Sequence, residues 1–508
     1  MDSLPLANKT LSKYLLLSKN ITQVWQDVCL GDIFYCIKGS KFDGHNFINN
    51  AFKKGAIAVI TTNSTKLTSF LYFIKNIYFA LTFCFSGKRR KIFFYKDDSL
   101  NLIKQKYNNL PKIFAVTGTN GKTSSVHFYL QALNFANIKA ISIGTIGVMA
   151  NFNLDKTLMP NTSLTTPDVF SLYRILHEAK LQGAEYCAME ASSIALDALR
   201  MKGLAVEVAS FTNLTQDHLD IHKTMQNYFD AKLKLFTNHL VKGGIAVLNG
   251  DDEACLNVLN KVKDVNCVIV FQQGIDKPRI DSKNKNHLLI SFTNSQAGCS
   301  IYTQQQELIF CIQGHLVGFQ CYNIAMVLAG LYAYFGKDFL QNQKTLNFTM
   351  PEGRMQEFKL KNNARAFVDY AHTPDALEKA LEELVLLKRG NKQSKIITLF
   401  GCGGQRDKTK RSQMGLIASK HSDFVIITDD NPRQEEPIAI REEIIRGFKQ
   451  DFTNFTNIAD RALAIKCAIE MSSENDLILM AGKGHEDYQI VGNQKLHFSD
   501  KEELCKYI

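Results

Sequence analysis

The segment from Lys112 to Ser125, KIFAVTGTNGKTSS, constrains the fold more than any other stretch of the chain. Its first six residues are a short β-branched and aromatic run, the composition of a strand. A glycine-containing turn follows, and SSVHFYLQALNFA then has helical spacing. EYCAMEAS, VEVASFTNL and GGIAVLNG are further short apolar runs bounded by turn signals. Alternation of this kind up to about Thr345 predicts a mostly parallel sheet covered by helices. A second alternating block starts near Gln356, with strands expected in ARAFVDYA, KIITLFGC, DFVIITDD and DLILMAGKG. Ligands of open α/β sheets collect at the carboxyl ends of strands. DYAHTPD, GCGGQRDK, DDNPR and GKGHE all fall at such ends. The first ~110 residues carry a weaker signal, and a chain of 508 residues is long enough for about three domains.

The turn itself suits a phosphate. Gly118 and Gly121 let backbone N–H groups of Gly118, Thr119, Asn120 and Gly121 turn inward, and the helix start at Lys122, Thr123 and Ser124 adds its positive end. Lys122 can reach β and γ phosphates, and the Thr123 hydroxyl can ligate Mg²⁺. The strict pattern has glycine where this chain has Val116. The loop alone implies a bound nucleotide, not a reaction.

Composition narrows the rest. The net charge of +11 is spread along the chain, which reads as a basic surface steering anionic substrates and not as a nucleic-acid site. The twelve cysteines are scattered without a CxxC pair, so neither a zinc site nor a disulfide framework is expected. MDSLPLANKTLSK lacks a signal pattern. Ser69–Phe85 is apolar but interrupted by Lys75 and Asn76, which predicts a buried strand–helix segment and no membrane span. A reduced, cytoplasmic setting is the expectation.

Glu190 ends one expected strand, and Asp217 and His218 follow another. Acidic and imidazole groups at strand ends suit Mg²⁺, and they equally suit a helix cap. Lys232, in NYFDAKLKLF, reads by itself as a solvent-facing helix lysine.

TGTNGKT, NLTQDHLDIH with AKLKLF, GRM at Gly353–Met355, VDYAHTPDAL, FGCGGQRDKTKR and AGKGHEDYQ occur in this order. Together they closely resemble the Mur ligases of bacterial cell-wall synthesis, from about Lys112 to the end. The resemblance implies a three-domain α/β chain. Residues 1–110 would form a smaller UDP-sugar-binding domain, 111–347 a central P-loop ATPase sheet, and 348–508 a Rossmann-like domain for the incoming amino acid. It also implies an ATP-dependent carbon–nitrogen ligase. The D-glutamate γ-carboxylate of UDP-MurNAc-L-Ala-D-Glu would form an acyl phosphate, which an amine then attacks, with the chain acting as a monomer.

By the same resemblance, Lys122 and Thr123 act on the nucleotide, Glu190 and His218 hold a second Mg²⁺, and Lys232 is a carbamylated lysine that joins them. Asn323 lies near the adenine. Ser40, Lys41 and Phe42 would contact uridine, and Thr165, Thr166, Ser192 and Arg200 the muramyl dipeptide. Asp430, Asn431, Pro432 and Arg433 resemble the signature of the branch that adds meso-diaminopimelate, with Arg406, Gly482 and Glu486 as further contacts. An arginine can pair with the extra carboxylate that distinguishes diaminopimelate from lysine, although DNPR read alone is a proline-containing turn. The chain departs from the pattern at Val24–Gln26, over Leu67–Leu100, and at Ile194, Ala198 and Gln320, each of these last three being expected to remove one polar contact.

Overall fold

The computed structural model of the chain describes residues 18–23, 25–36, 43–61, 80–85, 88–94, 99–160, 164–274, 287–295, 298–313, 318–339, 346–388 and 393–508. The run KIFAVT is the strand Lys112–Thr117, buried on both faces after its first residue. Continuous burial of this kind belongs to the interior of a parallel sheet. This strand lies between Tyr186–Glu190 and Val206–Phe211 and runs parallel to both. Beyond Tyr186–Glu190 come Ala140–Gly144 and Gly147–Ala150, and beyond Val206–Phe211 come Leu240–Asn249, Asn266–Gln272, His287–Ser295, Gly298–Thr303 and Leu308–Gln313. The order of connection reverses at Lys112–Thr117. The loops leaving its carboxyl end and those of both neighbours therefore meet at one place.

The helices Lys122–Phe135 and Gly318–Phe335 pack together over one face, through residues such as Phe128, Leu133, Ile324 and Leu328. Val169–Leu181 covers the other with Phe170, Tyr173 and Leu176. The sheet is mostly parallel, as expected, with antiparallel pairing at both edges, where Gly147–Ala150 runs against Ala140–Gly144 on one side. From His287 onward the far edge is an antiparallel meander, because the few residues between consecutive strands are too few for a crossover helix.

The C-terminal block forms a six-stranded sheet in the order Gln356–Lys359, Arg365–Asp369, Leu477–Ala481, Ile396–Phe400, Phe424–Ile427 and Phe455–Asn457. All but the first strand are parallel to their neighbours. Apolar clusters fill both faces.

The N-terminal sheet runs Ile21–Thr22, Ile33–Cys36, Ala58–Thr61, Lys88–Phe94 and Ala80–Phe85. Its first three strands have two to four residues each, too short to show a period, which explains the weak signal. Part of its core is continuous with the central one: Ile33, Tyr35, Ile60 and Tyr107 share an apolar cluster with Ile113 and Phe170. Of the apolar run Ser69–Phe85, the end Ala80–Phe85 is a strand antiparallel to Lys88–Phe94. The rest of that run lies outside the described residues. Among the described residues no helix is long and apolar enough to cross a membrane, and the described cysteines are free thiols.

One buried ion pair fixes the C-terminal loops. Arg461 and Asp500 are both 0 % exposed in their side chains. Arg461 Nε and Nη2 each donate to an Asp500 oxygen at 2.7 Å, and Nη2 also donates to the Ala481 carbonyl at 3.0 Å. This two-pronged geometry ties the helix Asp500–Cys505 to the strand end from which Gly482–Glu486 departs. Asp500→Ala leaves a buried guanidinium unpaired and is expected to cost about 3–5 kcal/mol. Urea unfolding followed by circular dichroism reads this as a lowered midpoint, and an unchanged midpoint would show that the pair contributes nothing.

Candidate active site

The loop Gly118–Thr123 is shaped by two glycines in the left-handed region, Gly118 at φ +147° and Gly121 at φ +86°. A Cβ on Gly118 would stand 1.9 Å from Thr212 Oγ1, and one on Gly121 would stand 2.4 Å from Asn323 Oδ1. Only glycine allows this approach. The loop after Val206–Phe211 then pins the turn. Thr212 Oγ1 donates to the Asn120 carbonyl at 2.6 Å, and the Asn120 N–H donates to Asn213 Oδ1 at 2.9 Å. Thr119 Oγ1 donates to the Thr215 carbonyl at 3.1 Å and accepts from Tyr228 Oη at 3.2 Å. Ser124 is buried at the start of the helix Lys122–Phe135.

Lys122 Nζ donates to the carbonyls of Gly118 and Thr119, both at 2.8 Å. Burial lowers its pKa, against the opposing pull of Glu190 and Asp217. Thr123 Oγ1 donates to Glu190 Oε1 at 2.9 Å. Glu190 is 1 % exposed, and its carboxylate also accepts the Thr145 N–H at 2.8 Å. The strand ends thus bring together a hydroxyl and a carboxylate that lie 67 positions apart in sequence.

Asp217 and His218 do not cap the next helix through their side chains. His218 sits at φ +55° before Leu219–His222 and makes no side-chain cap bond. Its Nε2 is 3.5 Å from Asp217 Oδ2, and both side chains line the cleft. Burial would raise the Asp217 carboxyl, but His218, His372 and Lys410 hold it down at about 2. Burial lowers His218, so its imidazole is neutral and able to ligate a metal at neutral pH.

The reading of Lys232 as a solvent-facing lysine is overturned. It lies in the helix Met225–Lys234, is 1 % exposed, and donates from Nζ to the Gly118 carbonyl at 2.7 Å. The same Nζ lies 4.4 Å from the centroid of the Tyr228 ring. Burial first, and then the charge of Lys122, push its pKa well below that of an ordinary lysine. The sequence could not show this, because only the loop at Gly118 closes over the helix face that carries Lys232.

Of the muramyl-dipeptide candidates, Thr165 and Ser192 line the cleft. The Thr166 hydroxyl does not face it. Fully buried, it donates to the Glu190 carbonyl at 2.8 Å and braces that strand end. Arg200 Nη1 donates to the Thr166 carbonyl at 3.0 Å. Asn323 is buried behind Gly121, and its Nδ2 donates to Gln320 Oε1 at 3.0 Å. Gln320 therefore makes a polar contact where a lost one was expected. Its longer amide, one helical turn before Asn323, reaches the neighbouring amide. Ser40, Lys41 and Phe42 lie outside the described residues.

The second group gathers at the ends of the C-terminal strands. Arg433 adopts φ +54°, and its Nη1 donates to the carbonyls of Gly404 at 2.9 Å and Asn431 at 3.3 Å. Asn431 Nδ2 donates to Glu486 Oε2 at 3.1 Å, and Asn431 Oδ1 accepts the Ile490 N–H at 2.8 Å. Asp430 and Pro432 are buried in the same loop, while Arg406 is exposed on the loop beside it. Gly482, at φ +110°, donates its N–H to the Asp369 carbonyl at 3.1 Å. DNPR is thus more than a solvated turn, because its backbone and side chains are tied to two other strand-end loops.

Sequence reasoning gave no role to the residues that join the two groups. Arg354 Nη2 donates to Thr123 Oγ1 at 2.9 Å, and its guanidinium carbon lies 4.6 Å from the centroid of the Tyr370 ring. Tyr370 Oη donates to Glu486 Oε1 at 3.4 Å. His372 Nε2 is 4.0 Å from Asp217 Oδ2. Asn120 Nδ2 donates to Asp375 Oδ2 at 2.8 Å. GRM and DYAH were the available signals, since both carry the resemblance. Thr145 had no signal, because nothing in its neighbourhood marks it.

A cleft lined by Lys122, Lys232 and Arg354 against Glu190 and Asp217 suits a polyanion such as a nucleoside triphosphate. Among the described residues there is no cluster of three or more His, Cys, Asp or Glu placed to hold a metal. Such a site needs phosphate oxygens to complete a Mg²⁺ shell, which is the usual arrangement for that ion.

Comparison with known proteins agrees with this geometry. Residues 116–331 match the Mur ligase middle domain, and residues 353–484 match the Mur ligase, glutamate ligase domain. The UDP-N-acetylmuramoyl-L-alanyl-D-glutamate–2,6-diaminopimelate ligase of Rickettsia rickettsii is 40% identical over 486 residues, covering 94% of this chain and 93% of that protein. A solved structure of a ligase with the same name is similar at TM-score 0.56 and 27% identity, covering 96% of this chain and 94% of that one. The MurF ligase from Thermotoga maritima in complex with ADP shares the fold, at TM-score 0.59 and 17% identity, over 92% of this chain and 94% of that one. With its phosphate loop, buried lysine and strand-end carboxylate in one cleft, and with these matches spanning nearly its whole length, the chain belongs to the Mur ligase family.

Proposed function

We propose that the protein is an ATP-dependent ligase that joins meso-2,6-diaminopimelate to UDP-MurNAc-L-Ala-D-Glu in peptidoglycan precursor synthesis, as a cytoplasmic monomer. The carrying observation is the single cleft in which Lys122, Thr123, Glu190, His218 and Lys232 meet Arg354 and Tyr370. We further assign residues 1–110 to the UDP-sugar, 111–347 to ATP and 348–508 to the amino acid.

Lys122 and Arg354 neutralise charge on the transferring phosphoryl group. Thr123 would ligate one Mg²⁺, and Glu190 and His218, with Lys232 as a carbamate, would hold a second; the adjacent Thr123 hydroxyl and Glu190 carboxylate oxygens at 2.9 Å suit this hard cation. When bound, the ion polarises phosphate oxygens and so favours departure of ADP. Thr165, Ser192 and Arg200 orient the muramyl dipeptide, so that its γ-carboxylate attacks the γ-phosphate and an acyl phosphate forms. The amine of the amino acid attacks that acyl carbon, phosphate leaves, and an amide bond remains.

Lys232 contributes through its uncharged amine. A lysine held neutral by burial can add CO₂ at Nζ and release a proton, giving an anionic carbamate. That anion joins Glu190 and His218 around the phosphate. Arg433, with Nη1 held by two backbone carbonyls, presents a fixed fork to the distal carboxylate of diaminopimelate. Lysine lacks this group and would leave the fork desolvated and unpaired.

ADP release is expected only when ATP, UDP-MurNAc-L-Ala-D-Glu and meso-diaminopimelate are all present. Product mass with each amino acid checks the specificity, and equal or better turnover with L-lysine would contradict it. Lys232→Ala should remove most activity, with partial recovery on adding small carboxylic acids. Undiminished turnover of the purified variant rules out the carbamate role.

A further inference from the structure

Lys483 belongs to neither group of residues described above, yet its charge is as enclosed as those of Arg461 and Asp500. Its side chain is 0 % exposed. Its Nζ donates to the Tyr488 carbonyl at 2.7 Å and lies 3.3 Å from Asp430 Oδ1 and 3.9 Å from Glu486 Oε2. Nζ also lies 6.0 and 5.9 Å from the ring centroids of Tyr488 and Phe498. An ammonium taken wholly out of water is retained only where opposite charge compensates for its lost hydration. Here the compensation comes from two carboxylates, both on loops assigned to the incoming amino acid.

The surroundings of Glu486 show what the ammonium does. Burial first, and Asp430 second, push the Glu486 carboxyl up, and Lys483 is the largest influence in the opposite direction. The other groups facing it are the Asn431 amide and the hydroxyls of Tyr370 and Tyr488, with Arg461 behind. The tyrosines and the amide donate hydrogen bonds and bring no charge. Without Lys483, Asp430 and Glu486 would face each other as like charges, both largely buried, and such a pair retains a proton.

We propose that Lys483 is a positioning residue for the incoming diamino acid: lodged between Asp430 and Glu486, it keeps Glu486 ionised and aimed so that Glu486 can receive a substrate ammonium. The two carboxylates and one lysine leave a net negative charge, which fits a cationic amine. Arg433 on the neighbouring loop takes the carboxylate beside that amine. The inference rests on the reading of this pocket as the amino-acid site.

The test is the pH dependence of KM for meso-diaminopimelate, between about pH 6 and pH 9, in wild type, Lys483→Met and Asp430→Asn. Titration of the substrate is common to all three. In Lys483→Met, KM should rise about tenfold at neutral pH and recover as pH rises, since one unit of displacement is tenfold in protonation. In Asp430→Asn, Lys483 serves Glu486 alone, and the acid limb should move to lower pH. KM for ATP should change in neither. Profiles that run parallel to wild type in both variants overturn the inference. Should Lys483→Met fail to fold, the direction of the Asp430→Asn shift decides. Absence of turnover by the wild type with any diamino acid overturns the functional reading, and this inference with it.

Discussion

The strand Lys112–Thr117 has a parallel neighbour on each side, and the rest of the site follows from that placement. A parallel sheet sends every strand out at the same edge. The phosphate loop, Glu190 and the segment from Thr212 to His218 therefore emerge within hydrogen-bonding distance of one another. The loop is closed by Thr212 and Asn213 from one side, and its Thr123 meets Glu190 from the other. No single element could supply this set. It depends on the topological reversal, which draws residues up to about a hundred positions apart into one cleft.

Charge balance in the cleft is equally a product of packing. Lys122 and Lys232 both donate to the Gly118 carbonyl. Two amines on one acceptor, both withdrawn from water, favour loss of a proton from the deeper one. That makes Lys232 the candidate for reaction with CO₂, and leaves Lys122 as the one proposed for the phosphate. Arg354 adds a third cation from the C-terminal unit. Its ring contact with Tyr370 carries the structure on to Glu486, so the phosphate and amino-acid ends share one continuous set of contacts.

The C-terminal pocket uses the same device on a second sheet. Its loops are held by buried pairs: Arg461 with Asp500 beneath Gly482–Glu486, and Lys483 between Asp430 and Glu486. Arg461, Asp500 and Lys483 are wholly enclosed. They fix the backbone and charge of the loop residues beside them, as a site that is to present an oriented carboxylate requires.

The sequence by itself determined the strands and the phosphate loop. KIFAVT, EYCAME, VEVASF, KIITLF and LILMA are strands within a residue or two of where their apolar runs predict them, because burial on both faces demands uninterrupted apolar side chains. The ordered motifs also placed the chain among the Mur ligases. Tertiary structure alone decided the rest. The first three N-terminal strands are too short to carry a period. The antiparallel meander after His287 looks locally like any other apolar run. Thr166 and Gln320 turned out to brace the site from within. Lys232 read by itself is an ordinary helix lysine, and the enclosure of Lys232 and of Lys483 exists only once distant segments are in place. The physical reason is common to all of these: apolar patterning is a local property of the chain, whereas the burial and charge partners of a polar group are set by segments far away in sequence.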